Sequence, residues 1–259
     1  MEKTRRNFEG KPKREEDGSV IVGRNPVLEL LKSGREIEKL YVQKGEREGS
    51  ITKIFAEAKK RGIVISEVDK KRLDELAFGN AHQGVAAIAS SVVYKTVEEL
   101  VEIAKERGEK PLIVVCDGVE DPHNLGAIIR CADGAGAHGV IVSKRHCPVI
   151  GQTVFKSSAG AAAHVAIAKV ANIASAVDEL KELGVWTFAA EAGGTSYRDT
   201  DFDCATAIVM GSEGEGVSRL VREKCDFTVS IPMRGKVNSL NVSTAAAVLL
   251  FEAADKQKN

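Results

Sequence analysis

The apolar positions of this chain fall into two series of alternating strand-like and helix-like runs. In the first series, residues 19–23 open the folded part. Residues 25–31 read as a helix, with Asn25 as its N-cap and Pro26 at its first position. Residues 39–42 form a strand, and residues 50–61 carry a helical period that Gly62 terminates. Residues 63–65, 70–77 and 85–89 follow as strand, short helix and strand, and residues 97–107 make a connecting helix that ends before Gly108 and Pro111. The second series differs in kind. Residues 112–116, 139–142, 185–189, 207–210 and 227–231 are continuous apolar or β-branched runs, the pattern of strands covered on both faces of a parallel sheet. Helical segments lie at 125–135, 152–161, 173–183 and 217–222, and an apolar run extends from Val242 to Ala254. The pattern predicts an open α/β sheet preceded by a smaller α/β module, with no internal repeat. The expected organisation is a disordered polar tail at 1–17, a module at 18–92, a linker at 93–110 and a second domain at 111–259.

Composition narrows the classes. No apolar run approaches the roughly 20 residues that span a bilayer, and residues 1–6 (Met-Glu-Lys-Thr-Arg-Arg) lack the apolar core of a secretory signal. The five cysteines, Cys116, Cys131, Cys147, Cys204 and Cys225, are odd in number and form no CxxC pair. That argues for reduced thiols in a cytoplasmic protein, with neither a zinc site nor a disulfide framework. The 37 basic and 37 acidic residues balance, which is no footprint for indiscriminate nucleic-acid binding. The balance is uneven along the chain. Residues 1–92 carry 19 Lys and Arg against 15 Asp and Glu, and the remainder carries 18 against 22, so the first part is the side inclined towards a polyanion.

Three polar loops follow predicted strands, at the edge where α/β sheets bind ligands. The first is Asp117–Asn124, leading into Leu125-Gly126-Ala127-Ile128-Ile129-Arg130. Asn124 reads as a helix N-cap. Arg130, with Gly126 one turn earlier, has room for a ligand beside its guanidinium, or it pairs with Asp133. The GxGxxG at 134–139 follows a helix and opens a strand, the reverse of a dinucleotide fingerprint, so its glycines read as a helix terminator. The second loop is Gly211-Ser212-Glu213-Gly214-Glu215-Gly216. Its acidic pair and the missing GK[ST] exclude a phosphate loop; Glu213 either holds the loop or accepts hydrogen bonds from a ligand. The third runs from Ile231-Pro232-Met233 to Ser239-Leu240-Asn241. Asn238, Ser239 and Asn241 exceed what one helix cap needs. The five histidines show no metal spacing, and His123 is the one placed on a loop.

Together, the stretches Asn124–Arg130, Val209–Gly216 and Ile231–Ser243 resemble the three ordered motifs of the SpoU (TrmH-type) RNA ribose 2′-O-methyltransferases of the SPOUT class. Gly23-Arg24-Asn25-Pro26-Val27 and His82-Gln83-Gly84-Val85 look like the ribosomal-protein-like (L30e-like) RNA-binding domain of bacterial 23S rRNA guanosine 2′-O-methyltransferases (RlmB-type). The resemblance implies a trefoil-knotted sheet domain and a homodimer with the active site between subunits. It also implies S-adenosylmethionine as cofactor and 23S rRNA as partner, with tRNA as the rival substrate. By motif position, Gly211, Ile231 and Leu240 are expected at the cofactor, with Met233 and Ala189 nearby. Asn124, Arg130, Glu213, Ser239 and Asn241 take the catalytic positions, and no metal is expected. A dinucleotide-dependent oxidoreductase and a non-enzymatic RNA-binding protein are the readings from other classes.

Overall fold

The computed structural model describes residues 19–32, 35–45, 49–77 and 79–258; the tail expected at 1–17 lies outside the described residues. The chain divides into two compact units, Met1–Ala89 and Ser90–Asn259. In the first unit, β1 (Ser19–Val22), α1 (Arg24–Lys32), β2 (Ile37–Gln43), α2 (Ser50–Lys60), β3 (Ile65–Val68), α3 (Lys70–Ala77) and β4 (Val85–Ala89) build a sheet of order β1-β4-β2-β3. Strand β4 is antiparallel to both β1 and β2. Its sequence Val-Ala-Ala-Ile-Ala is buried throughout, as its central position requires. Several boundaries differ from expectation, and two of the differences have a clear cause. Helix α1 starts at Arg24, so Asn25 and Pro26 lie in its first turn. The Arg24 N–H donates to Gln83 Oε1 at 3.1 Å, a cap supplied from 59 residues away. Strand β3 starts two residues late because the N–H of Ile63 still bonds the carbonyl of Ala58 at 2.9 Å, closing the end of α2.

The second unit contains α4 (Val97–Glu106), β5 (Leu112–Cys116), α5 (Pro122–Ala135), β6 (Gly139–Ser143), α6 (Gln152–Ser157), β7 (Ile167–Val170) and α7 (Ile173–Glu182). It continues through β8 (Trp186–Ser196), β9 (Thr206–Met210), α8 (Arg219–Lys224), β10 (Phe227–Ser230) and α9 (Val242–Lys258). The sheet order is β10-β8-β9-β5-β6-β7, and every pairing is parallel. Central β5 divides its side chains between two cores. Leu112, Val114 and Cys116 face a layer containing Leu125, Ile128, Ala246 and Leu250. Ile113 and Val115 face another containing Leu100, Val177 and Val221. Helix α4 belongs to that second layer, burying Val97, Leu100 and Val101, and starts with a Thr96–Glu99 capping box.

Five elements depart from the hydrophobic pattern. Edge strand β7 was not foreseen, and the helix expected over 152–161 ends at Ser157, with a single 3-10 turn at Ala161–Ala163 after it. Strand β8 continues seven residues beyond the expected Ala189. Helix α8 starts at Arg219 because two preceding amides are held by side chains: Val217 donates to Glu191 Oε1 at 3.1 Å and Ser218 to Asp117 Oδ2 at 2.8 Å. Helix α5 starts at Pro122, and its cap is Asp121, whose carboxylate accepts from the amides of His123 and Asn124. Asn124 is therefore not the cap, and its side chain is free for other work. The helix ends at left-handed Gly136, as the reversed glycine pattern predicts.

One connection positions the site. After edge strand β10 the chain returns past β8 and starts α9, which packs on α5 and touches β9 and β5 at the sheet centre. The edge is secured by Asp226, whose Oδ2 accepts from the Thr187 amide at 3.0 Å and hydroxyl at 2.8 Å, with Lys181 at 3.0 Å from its other oxygen. Partial burial pushes this carboxyl up, but the Thr187 hydrogen bonds and Lys181 outweigh it and hold it below the ordinary aspartate value. A depressed folded-state value adds stability above the unfolded value near about 3.9, and that stability is lost as pH falls through the folded one. Asp226→Asn is therefore expected to melt lower at neutral pH and to show a shallower loss of melting temperature below about pH 4. An unchanged acid limb in thermal melts would refute the role of Asp226.

Candidate active site

Strands β5 and β9 are neighbours, and their loops leave at the same edge of the sheet. The loop after β5 enters α5, whose first turn carries Asn124. The loop after β9 carries Glu213, and the segment after β10 ends at Asn241, immediately before α9. The three side chains meet. Asn124 Nδ2 donates to Glu213 Oε1 at 2.7 Å, Asn241 Nδ2 donates to the same oxygen at 2.9 Å, and Asn241 Nδ2 also donates to Asn124 Oδ1 at 3.0 Å. Glu213 as a carboxylate can only accept, so both amides must turn their NH₂ groups towards it, which fixes their orientation. Asn241 Oδ1 is left facing α9, where it accepts from the amides of Ser243 at 2.9 Å and Thr244 at 3.4 Å. One residue thus caps α9 and closes the junction, and the Ser243 hydroxyl, 2.6 Å from the same oxygen, adds a member that the sequence did not single out.

The Glu213 loop folds tightly on itself. Ser212 and Gly216 exchange both backbone hydrogen bonds, at 3.0 and 3.1 Å. A Cβ on Gly211 would lie 2.0 Å from the Gly216 carbonyl carbon, so only glycine fits there. Glu191 and Asp117 anchor the far end of the loop at Val217 and Ser218. The hydrophobic pattern hid Glu191, because it lies beyond the expected end of β8. Asp117 was visible as the residue directly after β5.

A cavity of about 570 Å³ opens between this loop and the segment 231–241. Gly211, Ile231, Met233 and Leu240 line it, as do Glu213, Ser239 and Asn241. Ala189 does not. It is fully buried in the sheet, and its neighbour Ala190 faces the cavity, since successive residues of a strand point to opposite sides. The backbone N–H and C=O groups of residues 231–240 make no backbone hydrogen bond to described residues, so they are available to whatever fills the cavity. Its charged lining residues are Glu191, Glu213 and Glu215, with no lysine or arginine among the described ones. A second cavity of about 710 Å³ lies on the Asn124 side of the junction and shares the Glu213 loop.

Arg130 is not part of the junction. It is exposed on α5, lines neither cavity, and makes no hydrogen bond or ion pair to a described residue, Asp133 included. The room expected beside Gly126 is filled, because a Cβ there would lie 1.9 Å from Ser157 Oγ of α6. The His123 ring is exposed and lines neither cavity. Thiol chemistry is disfavoured. Burial pushes the Cys116 thiol far up and that of Cys225 to about 11, so neither forms a thiolate near neutral pH. Among the described residues no group of three His, Cys, Asp or Glu comes together as metal ligands, and no helix is long and apolar enough to cross a membrane.

Comparison with known proteins places this geometry. Residues 111–251 match the SpoU rRNA Methylase family, and residues 20–95 match the family described as RNA 2′-O ribose methyltransferase substrate binding. A Staphylococcus haemolyticus protein named for the TrmH family of tRNA/rRNA methyltransferases is 46% identical over 92% of this chain and 96% of its own length. A Bacillus subtilis protein of the same designation is 42% identical over 92% and 95%. Among solved structures, the S-adenosylmethionine-bound rRNA methyltransferase of Sinorhizobium meliloti aligns with a TM-score of 0.57 at 26% identity, over 91% of this chain and 86% of that one. The SpoU methyltransferase AviRb of Streptomyces viridochromogenes shares the fold, with a TM-score of 0.59 at 24% identity over 92% and 90%. The TrmH/SpoU tRNA-modifying enzyme of A. aeolicus aligns with a TM-score of 0.52 at 29% identity, over 62% of this chain and 84% of its own.

The junction makes a charge-sensitive prediction. Asn241→Asp keeps the oxygen that caps α9 but replaces the amide donor, 2.9 Å from Glu213 Oε1, with a second carboxylate. Two facing carboxylates raise each other's pKa, so this variant should lose about 1–3 kcal/mol at pH 7 and recover part of it near pH 4, where one is protonated. Urea denaturation at the two pH values measures this. Equal destabilisation at both would mean that Glu213 and Asn241 are not coupled.

Proposed function

We propose that this chain, which belongs to the SpoU rRNA methylase family, methylates the 2′-hydroxyl of a guanosine ribose in 23S rRNA. At the level of the family the activity is plain: it is an RNA 2′-O-ribose methyltransferase that uses S-adenosylmethionine. The observation that carries the cofactor reading is the charge of the 570 Å³ cavity. Three glutamates and no lysine or arginine suit a cationic sulfonium and ammonium donor and oppose the phosphates of a dinucleotide. Its size lies within the range of about 300–1,000 Å³ usual for such ligands. The unpaired backbone of 231–240 offers hydrogen bonds to an adenine edge, flanked by the half-exposed side chains of Met233 and Leu240.

When bound, the donor supplies an electrophilic methyl on sulfur. A ribose 2′-hydroxyl receiving that methyl would have to give up its proton, so the site's residues would have to orient the hydroxyl and stabilise its oxygen. Asn124 is placed to orient the ribose, since one of its amide protons has no partner among the described residues. Glu213 holds Asn124 and Asn241 in register, and Ser239 shapes the cavity wall. A guanidinium holds its proton too firmly to act as a base, so Arg130 does not take the proton. Its role is to stabilise the developing alkoxide and the adjacent phosphate, while the proton passes to water or a phosphate oxygen.

Arg130 stands apart from the junction of its own chain, which supports a homodimer in which the partner subunit's Arg130 completes the site. The exposed face of α5 and α9 offers apolar surface for that contact: Phe251 is 53% exposed and lies against Gly134. The first unit favours rRNA over tRNA as substrate, because the tRNA-modifying relative leaves more than a third of this chain unmatched. A purely RNA-binding protein would leave the acidic cavity and the three-loop junction without a role.

Arg130→Ala is expected to bind S-adenosylmethionine normally in calorimetry and to lose turnover on 23S rRNA. Mixing it with Asn124→Ala should restore part of the activity, because one of the two mixed sites is then intact. No restoration would refute the shared site, and wild-type turnover in Arg130→Ala would remove Arg130 from the chemistry. Deleting the gene should erase one 2′-O-methyl mark in 23S rRNA; loss of a tRNA mark instead would reassign the substrate.

A further inference from the structure

The first unit holds a cavity of about 770 Å³ that no motif of the methyl-transfer site touches. Three cations line it, each at an element boundary: Arg24 opens α1, Lys44 follows β2 and Lys70 opens α3. Asp74 is the one carboxylate among its described lining residues, and it is already engaged, 3.0 Å from His82 Nε2. The His82 ring is fixed. Its Nδ1 accepts from the Gly84 amide at 2.9 Å, so the proton sits on Nε2 and is donated to Asp74. Gln83, held at φ +50°, accepts from the Arg24 amide through its side chain and from Arg24 Nε through its backbone carbonyl, both at 3.1 Å. The Nε side of the guanidinium is thereby tied down. Neither of its terminal nitrogens bonds a described residue, and the same holds for the ammonium groups of Lys44 and Lys70.

We propose that this cavity is a phosphate anchor for the RNA strand, binding two or three consecutive phosphodiesters without reading their bases. The proposal rests on the reading of the substrate as RNA and names where the first unit grips it. Three cations that bond no described residue, against one carboxylate that His82 already holds, favour a polyanion. Their spacing over three elements suits a chain of phosphates better than a single small anion. The described lining residues include no Phe, Tyr or Trp, and the one ring among them, His82, is buried with both nitrogens engaged, so no face is offered for base stacking and the contact is to the backbone.

Salt dependence of binding separates such contacts from diffuse attraction, because each phosphate contact on a single strand contributes about 0.7 to the slope of log K against log salt. Full-length protein would be titrated with transcribed 23S rRNA, followed by fluorescence anisotropy, with S-adenosylmethionine affinity measured in parallel. Lys44→Ala/Lys70→Ala breaks no described hydrogen bond, so it should keep its melting temperature and donor affinity while the slope falls by about 1.4. Adding Arg24→Ala should bring the fall to about 2. Lys59→Ala/Lys60→Ala, at exposed positions outside the cavity, should leave the slope close to wild type. An unchanged slope in the Lys44/Lys70 variant, or an equal fall in the Lys59/Lys60 control, overturns the anchor. Wild-type protein that binds S-adenosylmethionine but no RNA also overturns it, while leaving the donor site standing. RNA binding through these cations without donor binding would leave the anchor standing and refute the catalytic reading.

Discussion

Glu213 Oε1 receives hydrogen bonds from two side-chain amides that belong to two other loops, 89 and 28 residues away along the chain. The rest of the site depends on that shared acceptor. It draws the start of α5 and the start of α9 onto the β9 loop, and in doing so it closes one wall of the 570 Å³ cavity. A carboxylate cannot donate, so the geometry has one solution: both amides turn their nitrogens inward, and Asn241 is left with its oxygen against the helix it caps. Capping and site assembly are the same arrangement, not two competing uses of one residue.

The junction holds only because the backbone allows it. Gly211 lets the β9 loop fold back until two strands of it touch, and Asp117 and Glu191 pin its far end from neighbouring strands. Asp226 secures the edge strand from which the third loop departs. These contacts lie on the loops and strand ends, while the two apolar cores on either face of the sheet keep the strands themselves in place. The charge follows the same division. Carboxylates gather at the 570 Å³ cavity of the second unit, and cations that bond no described residue gather in the first. A net charge of zero conceals two cavities lined by opposite charge.

Much of this was legible in one dimension, and the errors have physical causes. The continuous apolar runs announced a parallel sheet because strands covered on both faces have no polar side to show. The three loops stood out because polar residues clustered after such runs. Asn124 was read as a cap because asparagine caps well, but Asp121 followed by Pro122 does so three residues earlier and leaves Asn124 to the site. Ala189, expected near the cofactor by motif resemblance, is buried in the sheet while Ala190 lines the cavity, because successive residues of a strand point to opposite faces. Strand β7 went unseen because its short Ile-Ala-Lys-Val run at the sheet edge resembles a loop as much as a strand.

The sequence by itself determined the fold class, the family and most of the polar residues that line the 570 Å³ cavity, since each rests on local pattern: hydrophobic period, turn chemistry and motif order. Only the tertiary structure decided which of those residues touch. It put Asn124, Glu213 and Asn241 on one another, left Arg130 outside, and gathered Arg24, Lys44 and Lys70 around one cavity. Such groupings are set by how the chain returns from the sheet edge to its centre and by which helices pack together. These are contacts between residues tens of positions apart, and no local spacing encodes them.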